Sequence, residues 1–123
     1  MARIHFIYST MNAGKSTALL QTNFAYLEKG MRTVLFTSEK DNRYGNSEIV
    51  SRIGLKSKAE TFKNSDNLFD CVSKAHTKNA IDCVLIDEAQ FLTKDQVHQF
   101  GRVVDELDVT VIAYGIRTDF RGE

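Results

Sequence analysis

The sequence predicts an α/β fold with a mainly parallel sheet flanked by helices. Short apolar runs alternate with stretches whose apolar residues recur every three or four positions, the mark of strands exchanging with amphipathic helices. The first two runs, Ile4 to Tyr8 and Thr33 to Thr37, are spaced as in a parallel crossover unit of about 30 residues. A later run, Cys83 to Ile86, is apolar throughout, as a strand covered on both faces of a parallel sheet must be.

Each element follows in order. Ile4 to Tyr8 reads as a buried strand, and the small, polar residues Ser9 to Gly14 cannot continue it. From Lys15 onward, Leu20, Phe24 and Leu27 make one apolar helix face, with Gly30 placed as a C-terminal cap. Thr33 to Thr37 is the second strand. The charged, Gly-containing stretch Ser38 to Ser47 reads as a surface loop. A second helix carries Leu68, Phe69, Val72 and Ala75 on one side, with Ser65 and Asp66 as candidate N-caps. Cys83 to Ile86 is the third strand, closed by Asp87 and Glu88. Thr93 and Gln96 form a T-x-x-Q capping box, ahead of a helix with Val97, Phe100, Val104 and Leu107 on its apolar side. Val109 to Tyr114 is the fourth strand, and a polar segment from Gly115 to Glu123 follows it.

A length of 123 residues suits one domain, and the absence of proline removes any proline-rich linker. Sixteen basic residues balance sixteen acidic ones, so there is no broad positive field to hold nucleic acid. No apolar run approaches the roughly 18 residues of a membrane span. The N-terminus lacks a secretory cleavage pattern, so a cytoplasmic location is expected. Cys71 and Cys83 have no CxxC partner and read as reduced core thiols. His5, His76 and His98 share no metal-ligand spacing and read as structural or surface residues.

The chemistry concentrates in two segments. Ser9, Thr10, Met11, Asn12, Ala13, Gly14, Lys15 and Ser16 match the phosphate-binding loop pattern between a strand and a helix, with Ser9 in place of the first glycine. Such a loop aims backbone N–H groups and the positive end of a helix at phosphates. Lys15 reaches toward the β and γ groups, and Ser16 offers its hydroxyl to Mg²⁺. The second segment, CVLIDEAQF, brings Asp87 and Glu88 to the carboxyl end of a strand, where open α/β sheets bind ligands. Asp87 is placed to orient water on Mg²⁺. Glu88, facing the opposite side if strand alternation persists, is placed to take a proton from an acceptor. Asp41 and Arg43 lie in the polar loop after the second strand, where solvent exposure is the ordinary reading. Phe91 and Phe120 follow strands three and four and suit either the walls of a base pocket or the core.

The segments STMNAGKST, EKDNRYG, VSRIGL, VLIDEAQFL and YGIRTDFRGE, in this order, resemble the type II thymidine kinase family from Arg3 to Glu123. The resemblance implies a P-loop NTPase (RecA-like) fold, with residues 1–123 as the ATP-binding domain of a nucleoside kinase. It implies transfer of the γ-phosphoryl group of ATP to the 5′-hydroxyl of thymidine, with Mg²⁺ as cofactor. Ser9 through Ser16 then form the ATP phosphate loop, and Asp87, Glu88, Ala89 and Gln90 a second nucleotide-binding segment in which Glu88 is the proton acceptor. By the same resemblance, Met11, Phe91, Ile116 and Phe120 surround the thymine ring, while Asp41 and Arg43 approach the reacting 5′ end. Family members are cytoplasmic homotetramers. They continue past the segment matching Arg117 to Glu123 into a small zinc-binding module with a lasso-like loop, so zinc is expected only there. Two other functions remain open: a truncated module that binds ATP without turnover, and a nucleic-acid-stimulated ATPase suggested by DEAQ at a strand end.

Overall fold

The computed structural model describes residues 2–9, 15–39, 48–50 and 54–116. Its elements in chain order are β1 (Ile4–Ser9), α1 (Lys15–Glu28), β2 (Thr33–Ser38), β3 (Glu48–Val50), β4 (Lys56–Lys58), β5 (Glu60–Phe62), α2 (Leu68–Lys78), β6 (Cys83–Ile86), α3 (Lys94–Leu107) and β7 (Thr110–Ile116). Five strands form a sheet in the order β1-β7-β6-β2-β5, and every pairing in it is parallel. β3 and β4 form a separate antiparallel pair. The expected α/β architecture is therefore present.

Strand alternation divides the core in two. Val84, Ile86, Val111 and Ala113 face one side, where they pack with Leu68 and Val72 of α2 and Phe100 and Val103 of α3. Cys83, Leu85 and Tyr114 face the other, against Leu19 and Leu20 of α1. Both faces are covered, so all four residues of β6 are buried and its sequence has no polar position to spare. The helices over the first face are also joined to each other. The Leu68 N–H donates to Gln99 Oε1 at 2.7 Å, and the Arg102 guanidinium lies 4.0 Å from the centre of the Phe69 ring.

Four expectations need correction here. β1 is not a buried strand: it stands at an end of the strand order, and Phe6, Ile7 and Tyr8 are 38%, 48% and 45% exposed. The buried side of α1 is Leu19, Leu20 and Asn23, whereas Phe24 and Leu27 are 36% and 48% exposed. The apolar spacing Leu20, Phe24, Leu27 does mark a stripe on the helix, but of that stripe only Leu20 is buried, and Phe24 turns outward. Asn23 replaces it inside because Thr33 of β2 donates a hydrogen bond to its side-chain oxygen. The N-cap of α2 is Asn67, whose side chain accepts from the Asp70 N–H at 3.1 Å, rather than Ser65 or Asp66. Asp66 instead accepts from the Lys63 N–H at 2.9 Å, closing the turn before the helix. Cys71 is a free, exposed thiol on the outer side of α2, so only Cys83 is a core cysteine.

Other expectations agree with the coordinates. Gly30 has φ of +77° and its N–H donates to the Leu27 carbonyl at 3.0 Å, ending α1 as a glycine cap does. Thr93 and Gln96 form a reciprocal capping box at the start of α3. The His76 Nδ1 accepts from the Ile81 N–H at 3.0 Å, a structural task. No helix among the described residues is long and apolar enough to cross a membrane.

Candidate active site

Parallel pairing sends the carboxyl ends of four strands to one edge. Ser9 of β1 lies opposite Ile116 of β7, Ile86 of β6 opposite Ala113 of β7, and Phe36 of β2 opposite Ile86. The chain leaves β1 toward α1 and leaves β6 toward Asp87 and Glu88 at this same edge, the position at which open α/β sheets hold ligands. α1 begins there at Lys15, so the positive end of its dipole faces the edge.

At that edge the Ser16 hydroxyl donates to Asp87 Oδ2 at 3.1 Å. Two residues 71 positions apart in sequence, one from each candidate segment, are thus in direct contact. Asp87 is 4% exposed, and its backbone N–H continues the ladder to the Phe36 carbonyl at 2.8 Å, which anchors the carboxylate to the sheet. Its other oxygen, Oδ1, accepts from the Glu88 N–H at 2.9 Å. A hydroxyl and a carboxylate held together are hard oxygen donors of the kind that bind Mg²⁺ beside phosphates, so the pair fits that ion.

Glu88 departs from the expected alternation. The strand ends at Ile86, and Glu88 takes a left-handed backbone, φ 58° and ψ 42°, before a single 3₁₀ turn over Ala89–Phe91. Its orientation is therefore set by this turn and not by the pleat of β6. The turn is closed by the Phe91 N–H donating to the Glu88 carbonyl and the Leu92 N–H donating to the Ala89 carbonyl, each at 3.1 Å. The Glu88 residue is 4% exposed, and its Oε1 accepts from Gln90 Nε2 at 2.6 Å. Gln90 Oε1 accepts in turn from the Ile116 N–H at 3.1 Å.

Of the remaining candidates, Ser9 ends β1, Ala89 is buried in the 3₁₀ turn, Phe91 packs half-buried against the larger core cluster, and Ile116 ends β7. The loop residues Thr10, Met11, Asn12, Ala13 and Gly14 lie outside the described residues, as do Asp41, Arg43, Phe120 and the side chain of Lys15. Among the described residues no group of three or more His, Cys, Asp or Glu side chains gathers as a metal site.

A family model for thymidine kinase matches residues 2–123. The chain belongs to the thymidine kinase family. It is 55% identical to the thymidine kinase of Escherichia coli O157:H7 over 123 residues, which is all of this chain and 60% of that protein. It is 55% identical to the thymidine kinase of Photobacterium profundum and 50% identical to that of Shewanella oneidensis, covering 64% of each. The thymidine kinase family chain described here thus spans about 60% of the length of the Escherichia coli relative.

Sequence reading of this thymidine kinase family member overlooked Gly115. The sequence pattern puts it in the polar segment after the last strand, but β7 runs on to Ile116. A Cβ at Gly115 would sit 2.8 Å from Tyr8 Cε1 and 3.0 Å from Gln90 Oε1, so glycine lets the strand end pass close to both. The available signal was a lone glycine inside a β-rich run, which marks close approach of the backbone.

Proposed function

We propose that this chain is the ATP-binding portion of a thymidine kinase, which transfers the γ-phosphoryl group of ATP to the 5′-hydroxyl of thymidine. The observation that carries the reading is the Ser16 to Asp87 hydrogen bond at the carboxyl edge of the sheet, because it joins the residue after the phosphate-loop lysine to the acid at the end of β6. Membership of the thymidine kinase family supports the nucleoside as acceptor.

In this reading the backbone of Ser9 through Ser16 cradles the phosphates of ATP and Lys15 neutralises charge on them. Ser16 and, through a water, Asp87 would hold Mg²⁺. When bound, the ion offsets the charge that builds on the transferring phosphoryl group. Glu88, 4% exposed beside Asp87, accepts the proton of the 5′-hydroxyl as that oxygen attacks the γ-phosphorus and the bond to the ADP leaving group breaks. Met11, Phe91, Ile116 and Phe120 flank the base, while Asp41 and Arg43 approach the reacting end. The whole protein is read as a cytoplasmic homotetramer, as family resemblance implies.

The test is label transfer from γ-labelled ATP to thymidine by the enzyme expressed through its full reading frame, with ATP hydrolysis measured with and without DNA. Labelled thymidine monophosphate is expected. Replacing Glu88 by Gln should slow transfer by about 100- to 10,000-fold, the range of a general base, while Mg-ATP still binds. DNA-stimulated hydrolysis without transfer to thymidine would overturn the reading.

A further inference from the structure

We propose that Gln90 is a positioning residue, whose carboxamide braces the Glu88 carboxylate against the end of β7. The inference rests on Glu88 being the proton acceptor and gives Gln90 a task other than contact with ATP. Its orientation is settled by chemistry. The Ile116 N–H is only a donor and an ionised carboxylate is only an acceptor, so a single placement of the amide serves both. Nε2 then donates to Glu88 Oε1 at 2.6 Å, and Oε1 accepts from the Ile116 N–H at 3.1 Å.

The need for a brace follows from the backbone. Glu88 lies beyond the last paired residue of β6 and sits in left-handed geometry, so the sheet ladder does not orient its side chain. Gln90 lies two residues on, inside a 3₁₀ turn whose second hydrogen bond fixes Leu92 to Ala89. It therefore reaches back across its own turn to Glu88 and outward to a strand that belongs to the rigid sheet. Gly115 makes the outward reach possible, since a Cβ there would crowd Gln90 Oε1 at 3.0 Å. A bracing contact of this kind holds an acceptor oxygen within reach of the hydroxyl it must serve, and a displacement of about 1 Å in such a group can cost about 100-fold in rate.

The test compares Gln90→Met, which has neither donor nor acceptor, with Gln90→Glu, which keeps an acceptor for Ile116 and loses the donor to Glu88. Both are measured in the full-length kinase, in the wild-type background and beside Glu88→Ala, with Mg-ATP titration to confirm folding. The expected result is a fall of about 10- to 100-fold in kcat for either Gln90 variant, with KM for ATP unchanged within about twofold. Beside Glu88→Ala, the same substitutions should produce no further loss. An equal loss in both backgrounds, a rise in KM for ATP in place of the fall in kcat, or near-wild-type turnover of both variants would overturn the brace while leaving Glu88 as the base. Full kcat in Glu88→Ala itself would overturn the base assignment, and the brace with it. If Gln90→Met fails to fold, the two arms with Gln90→Glu decide the matter.

Discussion

Gly115 shows how a residue with no side chain can govern one that has function. Its α-carbon passes between the Tyr8 ring and the Gln90 amide, and Tyr8 is 45% exposed, with its ring stacked on Phe6 at 6.1 Å. Gly115→Ala therefore meets one neighbour that can swing outward and one that is held at both ends. We expect a loss of about 1 to 3 kcal/mol, the usual cost of overpacking, measured as a lower urea midpoint. Turnover should fall as well, because Gln90 Oε1 must shift from Ile116. Unchanged stability would mean that Tyr8 alone absorbs the added methyl. The residues at this site were unevenly legible. Asp87 and Glu88 stood out as adjacent acids closing an apolar run, but the left-handed turn at Glu88 carries no glycine or asparagine to announce it. Gln90 stood out only through the family resemblance, as part of a nucleotide-binding segment, and its bonds to Glu88 and Ile116 were not legible, since those partners lie one turn back and one strand away.

At the scale of elements, α3 depends on a buried polar residue as much as on its apolar side. Gln96 is buried, its Oε1 accepts from the Thr93 N–H at 3.1 Å, and its Nε2 donates to the carbonyls of Lys63 and Asp66 at 2.7 and 3.2 Å. The capping box thus also ties the start of α3 to the turn before α2. Thr93→Ala should cost about 1 kcal/mol, as loss of an N-cap does, whereas Gln96→Ala should cost more because it leaves the two carbonyls and the Thr93 N–H without that partner. Equal urea midpoints for the two variants would show that water takes over the amide's bonds. The box itself was readable from spacing, but its tertiary link was not, since nothing in T-x-x-Q specifies what the glutamine's free nitrogen meets. α1 teaches the converse. Its apolar spacing identified a real stripe, yet Asn23 went inside and Phe24 outside because a bond to Thr33 satisfied the buried amide. The short strands β3, β4 and β5, at three residues each, were too brief to show periodicity at all.

For the whole molecule, alkaline pH should loosen the layer between α1 and the sheet. Burial raises the Cys83 thiol to about 11, and burial together with the neighbouring Cys83 raises the Tyr26 phenol to about 12. Each group is raised in the folded state, so its contribution is complete below the unfolded value and is lost as pH climbs toward the folded one. That window runs from about pH 9 to 11 for Cys83. The urea midpoint should therefore fall between pH 9 and 11, and Cys83→Ala should flatten the decline. A midpoint constant across that range would contradict the burial of the thiol. The alternation of strands and helices made the parallel sheet legible, but strand order was hidden because spacing along the chain says nothing about which strand inserts between two others. β6 and β7 both enter between β1 and β2, which leaves β1 beside β7 alone among the described residues. That placement sets a timetable for biosynthesis. Ile4 waits for Val111, more than a hundred residues later, and at about 5 to 20 residues per second the ribosome takes about 5 to 20 s to deliver it. Through that interval the nascent β1 has no β7 to pair with, so a strand made early completes its backbone ladder only when the last strand of the sheet arrives.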